Sequence, residues 1–292
     1  MRSSALHETR WLVVGSATVD CIVQADKRAY KAGGVVVYGG LTLLRLGHAV
    51  AVCANMASND RDVMALLREK GAQLYLGDDM HTTHFINRIE GDDRHQEMPI
   101  AARPIGQTDL QKAVRPSDYI LLGPLHPHDV AEEALAWLVT QGNPVLCADL
   151  QGHVRRVEGD LVRAKVSASV EGILQAAQWV KASQDELDLL LAWAQCDVGQ
   201  LIERYGLREV VVTRGSQRGY IQHRRGMHLF ESTSVSRVCD PTGAGDVFFA
   251  CYLSKRIVQK QSISVAVCAA ARLAAEQVGG TFLAANALGV HR

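Results

Sequence analysis

The chain has 292 residues, 48% of them hydrophobic, which is enough apolar material for a large buried core. Its 31 lysine and arginine residues balance its 31 aspartate and glutamate residues, so no net charge attracts nucleic acid or an acidic membrane. We therefore predict a small-molecule substrate and no nucleic-acid partner. Seven scattered cysteines, an N-terminus without a signal-peptide run and the lack of any stretch of roughly 18 apolar residues predict a cytoplasmic protein without a membrane span.

Short apolar runs alternate along the chain with longer amphipathic segments. Residues 60–71, 128–142 and 183–194 have apolar side chains at helical spacing, and each has an acidic or capping residue at its first or second position. A strand followed by a helix, repeated, is typical of an α/β protein with a parallel sheet and helices on both faces. The predicted buried strands are residues 11–15, 49–54, 119–123, 144–150 and 210–213.

Two polar, alternating segments interrupt this pattern, residues 19–40 and 81–102. We predict that they form β-hairpins or flaps, which together make a small β lid over the crevice at the strand ends. The sequence contains no linker and no repeat, so we expect residues 1–292 to form a single α/β domain with this lid. An edge strand of the lid would permit a homodimer.

The segment DPTGAGD, residues 240–246, comes directly before the apolar run VFFACYL. Its glycines favour a tight turn, which would place the amides of Gly243, Ala244 and Gly245 at a helix N-terminus, where N–H groups attract phosphate. A carboxylate at Asp246 is unfavourable beside an anion unless it accepts a proton from a substrate hydroxyl that attacks phosphorus. The segment alone is equally compatible with a turn followed by an aspartate that stabilises the helix dipole.

The sequence CDPTGAGDVFFACYL resembles the C-terminal signature of the ribokinase-like (PfkB) family of carbohydrate and nucleoside kinases. The resemblance implies a three-layer α/β/α fold with a mostly parallel central sheet and a small β-sheet lid. It also implies transfer of the γ-phosphoryl group of ATP, with Mg²⁺, to a hydroxyl of a small sugar, polyol or nucleoside. Five further segments resemble family motifs in the expected order: VVGSATVD (13–20), AGGVVVYGGLTLLRLG (32–47), KASQDEL (181–187), VVVTRGSQRG (210–219) and VCAAARLAAEQVGG (267–280).

The resemblance assigns catalytic and donor-side roles to individual positions. It implies that Asp246 is the general base and that the amides of Gly243, Ala244 and Gly245 form an anion hole. Glu186 matches the family glutamate that helps to order magnesium through water. The positions implied to contact the nucleotide and its phosphates are Ser183, Thr213, Gly215, Thr242, Ala270 and Ala271. Family members often bind a monovalent cation such as K⁺ beside the anion hole, where Asp240 and Thr242 lie.

Two positions depart from the family pattern. Tyr38 stands where the glycine-pair motif usually has an asparagine, so it either contacts the acceptor through its hydroxyl and flat ring or packs under the lid. Ser183 replaces the asparagine of the Asn-x-x-Glu segment, while Glu186 is kept. Ser183 either donates to a phosphate or a metal-bound water, or it caps a helix through the capping box that SQDE predicts.

The acceptor side of the site is expected to bind a polyhydroxylated small molecule. The resemblance implies that Asp20, Gly33 and Gly34 orient it, and the polar lid and crevice segments resemble a branch of the family that contains inositol kinases. Two alternatives stay open: a kinase for a sugar phosphate, and a kinase-like sensor that binds ligand without catalysis. The further predicted substrate-binding residues are Tyr38, Asn87, Arg94, Gln96, Asp149, Gln151 and Arg155.

Overall fold

The computed structural model of the protein describes residues 10–290 except 25–26, 91–92, 117, 142–144 and 284. Strands and helices alternate over most of this range. The strands are β1 (Arg10–Val14), β2 (Thr18–Gln24), β3 (Lys27–Gly33), β4 (Ala49–Ala57), β5 (Gln73–Asp79), β6 (Thr83–Glu90), β7 (Asp93–Ile100), β8 (Tyr119–Leu122), β9 (Val145–Asp149), β10 (Arg155–Glu158), β11 (Leu161–Ala164), β12 (Trp179–Ser183), β13 (Glu209–Thr213), β14 (Gly219–His223) and β15 (Gly226–Phe230). The helices are α1 (Val35–Arg45), α2 (Ala65–Glu69), α3 (Gln107–Ala113), α4 (Glu132–Val139), α5 (Val170–Ala176), α6 (Gln184–Ala194), α7 (Val198–Tyr205), α8 (Ala244–Leu253) and α9 (Ile263–Val278).

The larger sheet has the strand order β15-β14-β13-β12-β9-β8-β1-β4-β5. All neighbours from β13 to β5 pair in parallel, and the hairpin of β14 and β15 adds two antiparallel strands at one edge. Parallel neighbours need crossover connections, which the helices provide. The predicted α/β fold with a mostly parallel central sheet is confirmed.

The central strands are buried on both faces, which makes three layers. Successive strand residues point to opposite sides of a sheet. Accordingly, Trp11 and Val13 of β1 share a core with residues of α1, α8 and α9, while Leu12 and Val14 share another with residues of α3 to α7. Among the helices in the described ranges, none is long and apolar enough to cross a bilayer. Buried on both faces, the strands can present side chains to a ligand only at their ends.

Two predicted helices are shorter than their sequence patterns suggest. Residues 58–64 form a 3₁₀ turn before α2, because the polar side chains of Asn59, Asp60 and Asp62 favour turns over an α-helix. The segment that precedes α4 is a loop, since Asp129 accepts a hydrogen bond from the amide of Leu125 at 2.7 Å. Residues 142 and 144, at the ends of a predicted helix and strand, lie outside the described residues.

The second sheet has the strand order β10-β11-β7-β6-β2-β3 and forms the lid. Its inner face meets the body through a small apolar core of Phe85, Met98 and Leu125, against which Val157 and Val162 pack. The hairpin of β10 and β11 belongs to this sheet, although the sequence did not predict it. Its charged side chains hide the alternation, and its turn is marked only by Gly159, which has a φ of 60°.

The predicted lid segment 19–40 extends too far. Residues 35–40 form the first half of α1, which is buried between the larger sheet and α8. A helix that is apolar on every side belongs in a core, and the run Val35 to Tyr38 has no polar face that could lie in a flap. The lid strand β3 therefore ends at Gly33, and the chain enters the body directly afterwards.

Candidate active site

A cavity of about 510 Å³ lies between the lid and the carboxyl ends of the body strands. This is the usual position of a ligand in an open α/β sheet. Most of the predicted site residues meet there, although they are spread over 227 positions of the sequence, from 20 to 246. Those that line the cavity are Asp20, Gly34, Tyr38, Gln96, Gln151, Arg155, Ser183, Glu186, Thr242, Gly243, Gly245 and Asp246.

The predicted anion-hole loop leads into helix α8, whose first residue is Ala244. Gly243 precedes the helix with a φ of 74°, a conformation that favours glycine, and a methyl group there would overlap the ring of Tyr38. The Ala244 amide donates to the carbonyl of Pro241 at 3.2 Å, which closes the turn and leaves the amides of Gly243 and Gly245, the other two predicted positions, at the cavity. The first turn of a helix leaves backbone N–H groups without intrahelical acceptors, so this loop forms an anion-binding end that opens into the cavity.

Asp246 lies in the first turn of α8 and faces the same cavity. Burial raises the pKa of its carboxyl group to about 7; the ammonium of Lys181 opposes the rise, while the carboxylates of Asp149 and Glu186 add to it. A general base is most effective when its pKa lies near the working pH. Asp246 therefore has both the position and the pKa of a base that accepts a proton at neutral pH.

Lys181, near the end of β12, is a charged side chain of the site that sequence reasoning missed. Its Nζ donates to Asp149 Oδ2 at 2.6 Å, and a methyl group on Gly245 would lie 3.2 Å from that nitrogen. Burial lowers the pKa of Lys181, but the carboxylates of Asp149, Glu186 and Asp246 outweigh it and raise the pKa overall. A stable cation therefore stands beside the anion-hole loop.

Asp149 is buried at the end of β9, where it pairs with Lys181. Its carboxylate is 1% exposed and accepts from Lys181 at one oxygen and from the amide of Gln151 at the other, 3.1 Å away. It does not line the cavity. A buried carboxylate at the end of β9 requires partners, and Lys181 on the adjacent strand supplies one, so direct contact of Asp149 with a substrate stays a prediction. Asp149 holds Lys181 in position.

Ser183 and Glu186 form the predicted capping box at the start of α6. The amide of Glu186 donates to Ser183 Oγ at 3.3 Å, and the amide of Ser183 donates to Glu186 Oε2 at 2.8 Å. The capping role of Ser183 is confirmed. Both side chains also line the cavity, so the box fixes the Glu186 carboxylate at the wall that faces Asp246.

On the acceptor side, Asp20 points from β2 towards the glycine pair at the end of β3. Thr18 donates to Asp20 Oδ1 at 2.8 Å. A methyl group on Gly33 would lie 2.5 Å from the other carboxylate oxygen, so glycine is required there to leave room for the acid. Gly33 thus acts by making space, whereas Asp20 and Gly34 line the cavity themselves.

The lid wall is a chain of hydrogen-bonded side chains. Arg155 donates to Gln96 Oε1 at 3.0 Å, and Gln96 donates in turn to Asn87 Oδ1 at 2.9 Å. Gln96 and Arg155 line the cavity, while Asn87 stands behind Gln96 and fixes its orientation. Arg163 on β11 also lines the cavity, and it was missed together with its hairpin. The side chain of Arg94 lies outside the described residues.

A model of the pfkB family of carbohydrate kinases matches residues 9–284. The chain belongs to this family. Its members transfer phosphoryl groups to hydroxyl groups of sugars and nucleosides, so the protein is a phosphotransferase with an alcohol group as acceptor. The predicted recognition is confirmed. Comparison with curated protein sequences finds no match.

Solved structures of ribokinase-family kinases share the fold of this pfkB-family chain. A pyrophosphate-dependent kinase with a pyrophosphate analog and myo-inositol is 23% identical, with a TM-score of 0.80 over 91% of this chain and 94% of that one. A Burkholderia thailandensis nucleoside kinase with inosine is 16% identical, with a TM-score of 0.73 over 91% of this chain and 90% of that one. A Thermotoga maritima ribokinase is 17% identical, with a TM-score of 0.71 over 97% of this chain and 96% of that one.

The remaining predicted nucleotide residues of this pfkB-family chain do not line the cavity. Ala270 and Ala271 on α9 are buried in the core, with exposed fractions of 0% and 7%. Thr213 is partly buried at the end of β13, and Gly215 is exposed in the loop after it. The alanines were predicted from the family helix as a whole, and the sequence did not indicate which helical positions face α8 instead of a ligand.

Tyr38 is buried and also reaches the cavity wall, and its predicted contact with the acceptor stays a prediction. It is 1% exposed and its ring packs against Gly243, yet it also lines the cavity. Its buried hydroxyl has no hydrogen-bond partner within the described residues. Burial raises the pKa of Tyr38, and the carboxylates of Asp240, Asp20 and Asp246 raise it further, so the hydroxyl stays protonated as a donor.

Proposed function

We propose that the protein transfers a phosphoryl group from ATP to a hydroxyl of a compact polyol of the inositol type. The observation that carries the proposal is the position of Asp246. It combines a pKa of about 7 with a place between the anion-hole loop and the polar acceptor wall of one cavity. A base is useful there only if the acceptor brings a hydroxyl to it.

The lining of the acceptor side supports a compact, polyhydroxylated ligand. Asp20, Gln96 and Gln151 offer hydrogen-bonding groups from three elements, while Phe85 and Leu125 provide an apolar surface for the C–H face of a ring. The structural neighbour that contains myo-inositol shares the fold and most of its length with this chain. The same wall carries the guanidinium groups of Arg155 and Arg163, so a sugar phosphate is the second candidate acceptor.

In the proposed reaction the acceptor oxygen forms a bond to the transferred phosphorus while the bond from phosphorus to the donor's bridging oxygen breaks. The hydroxyl proton passes to the carboxylate of Asp246, which must therefore be ionised beforehand. The amides of Gly243 and Gly245 and the ammonium of Lys181 stabilise the negative charge of the transferring group. The lid keeps water away from the same phosphoryl group.

The residues on the donor side fit a magnesium ion. Hard oxygen ligands suit Mg²⁺, and this ion keeps several waters, so few protein ligands are needed. Glu186 presents its carboxylate at the cavity wall, fixed by the capping box, and it acts electrostatically on Asp246. We assign Glu186 as the group that would hold the metal through water, where the metal would neutralise the donor phosphates.

Pyrophosphate is a second candidate for the donor. The predicted base-contacting residues Ala270 and Ala271 are buried away from the cavity, whereas the cations Arg155, Arg163 and Lys181 line it or stand at its anion-hole end. Three cations at one cavity favour a donor that presents several phosphate oxygens. A neighbour of the same fold is a pyrophosphate-dependent kinase.

A donor-consumption assay tests both proposals. The protein is incubated with Mg²⁺, with either ATP or pyrophosphate, and with a panel of inositols, pentoses, hexoses, nucleosides and sugar phosphates. We expect one inositol-type acceptor to stimulate turnover, with Asp246→Asn as the blank, and the active donor to decide between the two candidates. If calorimetry detects donor and acceptor binding but no turnover occurs on any pair, the protein is a ligand sensor and the proposal is wrong.

A further inference from the structure

A buried ion pair joins the lid to the anion-hole loop. Lys31 Nζ on β3 lies 2.6 Å from Asp240 Oδ2, and the two side chains are only 6% and 16% exposed. Lys31 is the cross-strand partner of Asp20 in the pairing of β2 with β3. The two side chains therefore lie on the same face of the lid. A single ammonium therefore connects the acceptor-binding strands with the loop that binds the transferred phosphate.

Asp240 shapes the loop that leads to the anion hole. Its second oxygen, Oδ1, accepts from the amide of Thr242 at 2.9 Å. The carbonyl of Thr242 accepts from Gln277 at 3.2 Å, and the amide of Asp240 donates to the carbonyl of Val278 at 3.2 Å. These contacts fix the chain three residues before Gly243. The positive charge that neutralises the Asp240 carboxylate therefore also helps to fix the direction of the anion-hole amides.

A monovalent cation does not fit at Asp240. Such an ion would need the carboxylate oxygens as ligands, but one oxygen already holds an ammonium and the other accepts from a backbone amide. A second positive charge beside Lys31 would be repelled in a largely buried place. Burial raises the pKa of Asp240, and the hydrogen bonds from Lys31 and Thr242 outweigh it and lower the pKa overall, so the pair is ionic.

We propose that Lys31 is a positioning residue that supplies, from within the chain, the positive charge which Asp240 would otherwise take from a monovalent cation. Phosphoryl transfer by this protein is then independent of potassium. The measurements of turnover that test this inference rest on the proposed function. A second readout, the thermal midpoint of unfolding, needs no substrate and separates the two ideas.

Three variants test the role of the charge. Lys31→Ala removes the ammonium and leaves space for an ion, Lys31→Met removes the charge but fills the space, and Arg28→Ala is the control on an exposed position of the same strand. Each is assayed at equal ionic strength in KCl, NaCl or tetramethylammonium chloride. Values of kcat, KM and the thermal midpoint are measured in all three salts.

We expect the parent and Arg28→Ala to vary less than twofold in kcat across the salts. Both Lys31 variants should lose at least tenfold in kcat in tetramethylammonium chloride with a smaller change in the acceptor KM. K⁺ or Na⁺ should raise the kcat of Lys31→Ala by at least fivefold, whereas the kcat of Lys31→Met should stay low in every salt. The thermal midpoint of Lys31→Ala alone should rise with the small cations.

Three results would overturn the proposal. A parent enzyme activated more than fivefold by K⁺ over tetramethylammonium would require an ion that Lys31 does not replace. A kcat of Lys31→Ala within twofold of the parent would show that the charge is not needed. A Lys31→Ala variant that is equally impaired in all three salts, in turnover and in thermal midpoint, would make Lys31 a packing residue. If no acceptor is turned over, the thermal midpoints in the three salts still test whether a small cation replaces the Lys31 ammonium.

Discussion

Replacing Asp246 by asparagine is expected to stabilise the folded protein at neutral and alkaline pH while it removes activity. In the folded state the carboxyl group has a pKa raised from 3.8 to about 7, mainly by burial. The unfolded chain ionises near 3.8, so the folded state binds more protons between these two values. The stability contributed by this group is complete below pH 4 and is lost as the pH rises through 7. Asparagine has no such loss.

The size of the effect follows from the shift. A difference of about three pKa units corresponds to about 4 kcal/mol at a pH above 7. Nearly all of this difference develops between pH 4 and pH 8, because the two pKa values lie at or inside that range, so we expect about 4 kcal/mol over it. The charge-independent cost of an Asp→Asn change is the same at every pH and cancels from this difference.

Urea unfolding of the parent and of Asp246→Asn at pH 4, 5, 6, 7 and 8 measures the quantity directly. The free-energy difference in favour of the variant should grow with pH and level off above 7. Asp185 is an exposed acid in the first turn of α6, so Asp185→Asn controls for the interaction of an acid with a helix dipole. This variant should lose a few tenths of a kcal/mol of unfolding free energy. A difference between parent and Asp246→Asn that is constant from pH 4 to pH 8 would refute the raised pKa.

Three further predictions concern the same site. The kcat/KM of the parent should rise tenfold per pH unit below about 7 and level off above it, because Asp246 must be ionised to accept the proton. Gly243→Ala should reduce kcat at least 10²-fold, since the methyl group overlaps Tyr38 in a backbone conformation that disfavours alanine. Ser183→Ala should cost about 1 kcal/mol of unfolding free energy through the lost cap, and its effect on kcat should be smaller than that of Glu186→Gln.

Each of these has a clear contrary result. A flat pH profile between 5 and 8 would show that another group accepts the proton or that chemistry is not rate-limiting. A Gly243→Ala variant with normal kcat and a normal thermal midpoint would mean that the loop is free to move away from Tyr38. A Ser183→Ala variant that is fully stable but as inactive as Glu186→Gln would replace the capping role with direct phosphate binding.

The sequence was sufficient for the buried parallel strands and for the backbone of the loop that precedes α8. DPTGAGD combines a turn, a helix start and an acid within seven residues, and these local features determine its backbone wherever the chain places it. The same holds for SQDE, because a capping box involves only residues three apart. Apolar strand runs likewise predicted the buried sheet, since burial on both faces leaves no polar positions.

Contacts between distant residues could not be predicted in this way. Lys181 and Asp149 are 32 positions apart and Lys31 and Asp240 are 209 apart, so nothing local indicates that these charges meet. Asp149 therefore resembled a free acid at a strand end when its partner was unknown. The hairpin of β10 and β11 was missed for a related reason: it gains stability by joining β7 of the lid, and its own charged sequence suggests exposed coil.

The proposed role of Asp246 is to deprotonate an acceptor hydroxyl during phosphoryl transfer. The measurement that tests it most directly is ³¹P NMR of the parent and of Asp246→Asn with Mg²⁺, donor and the inositol panel. We expect a phosphomonoester signal to grow with the parent enzyme as the donor signals decline, and the rate of its growth to fall by about 10² to 10⁴ in the variant. Equal rates of phosphomonoester formation by the two proteins would contradict it.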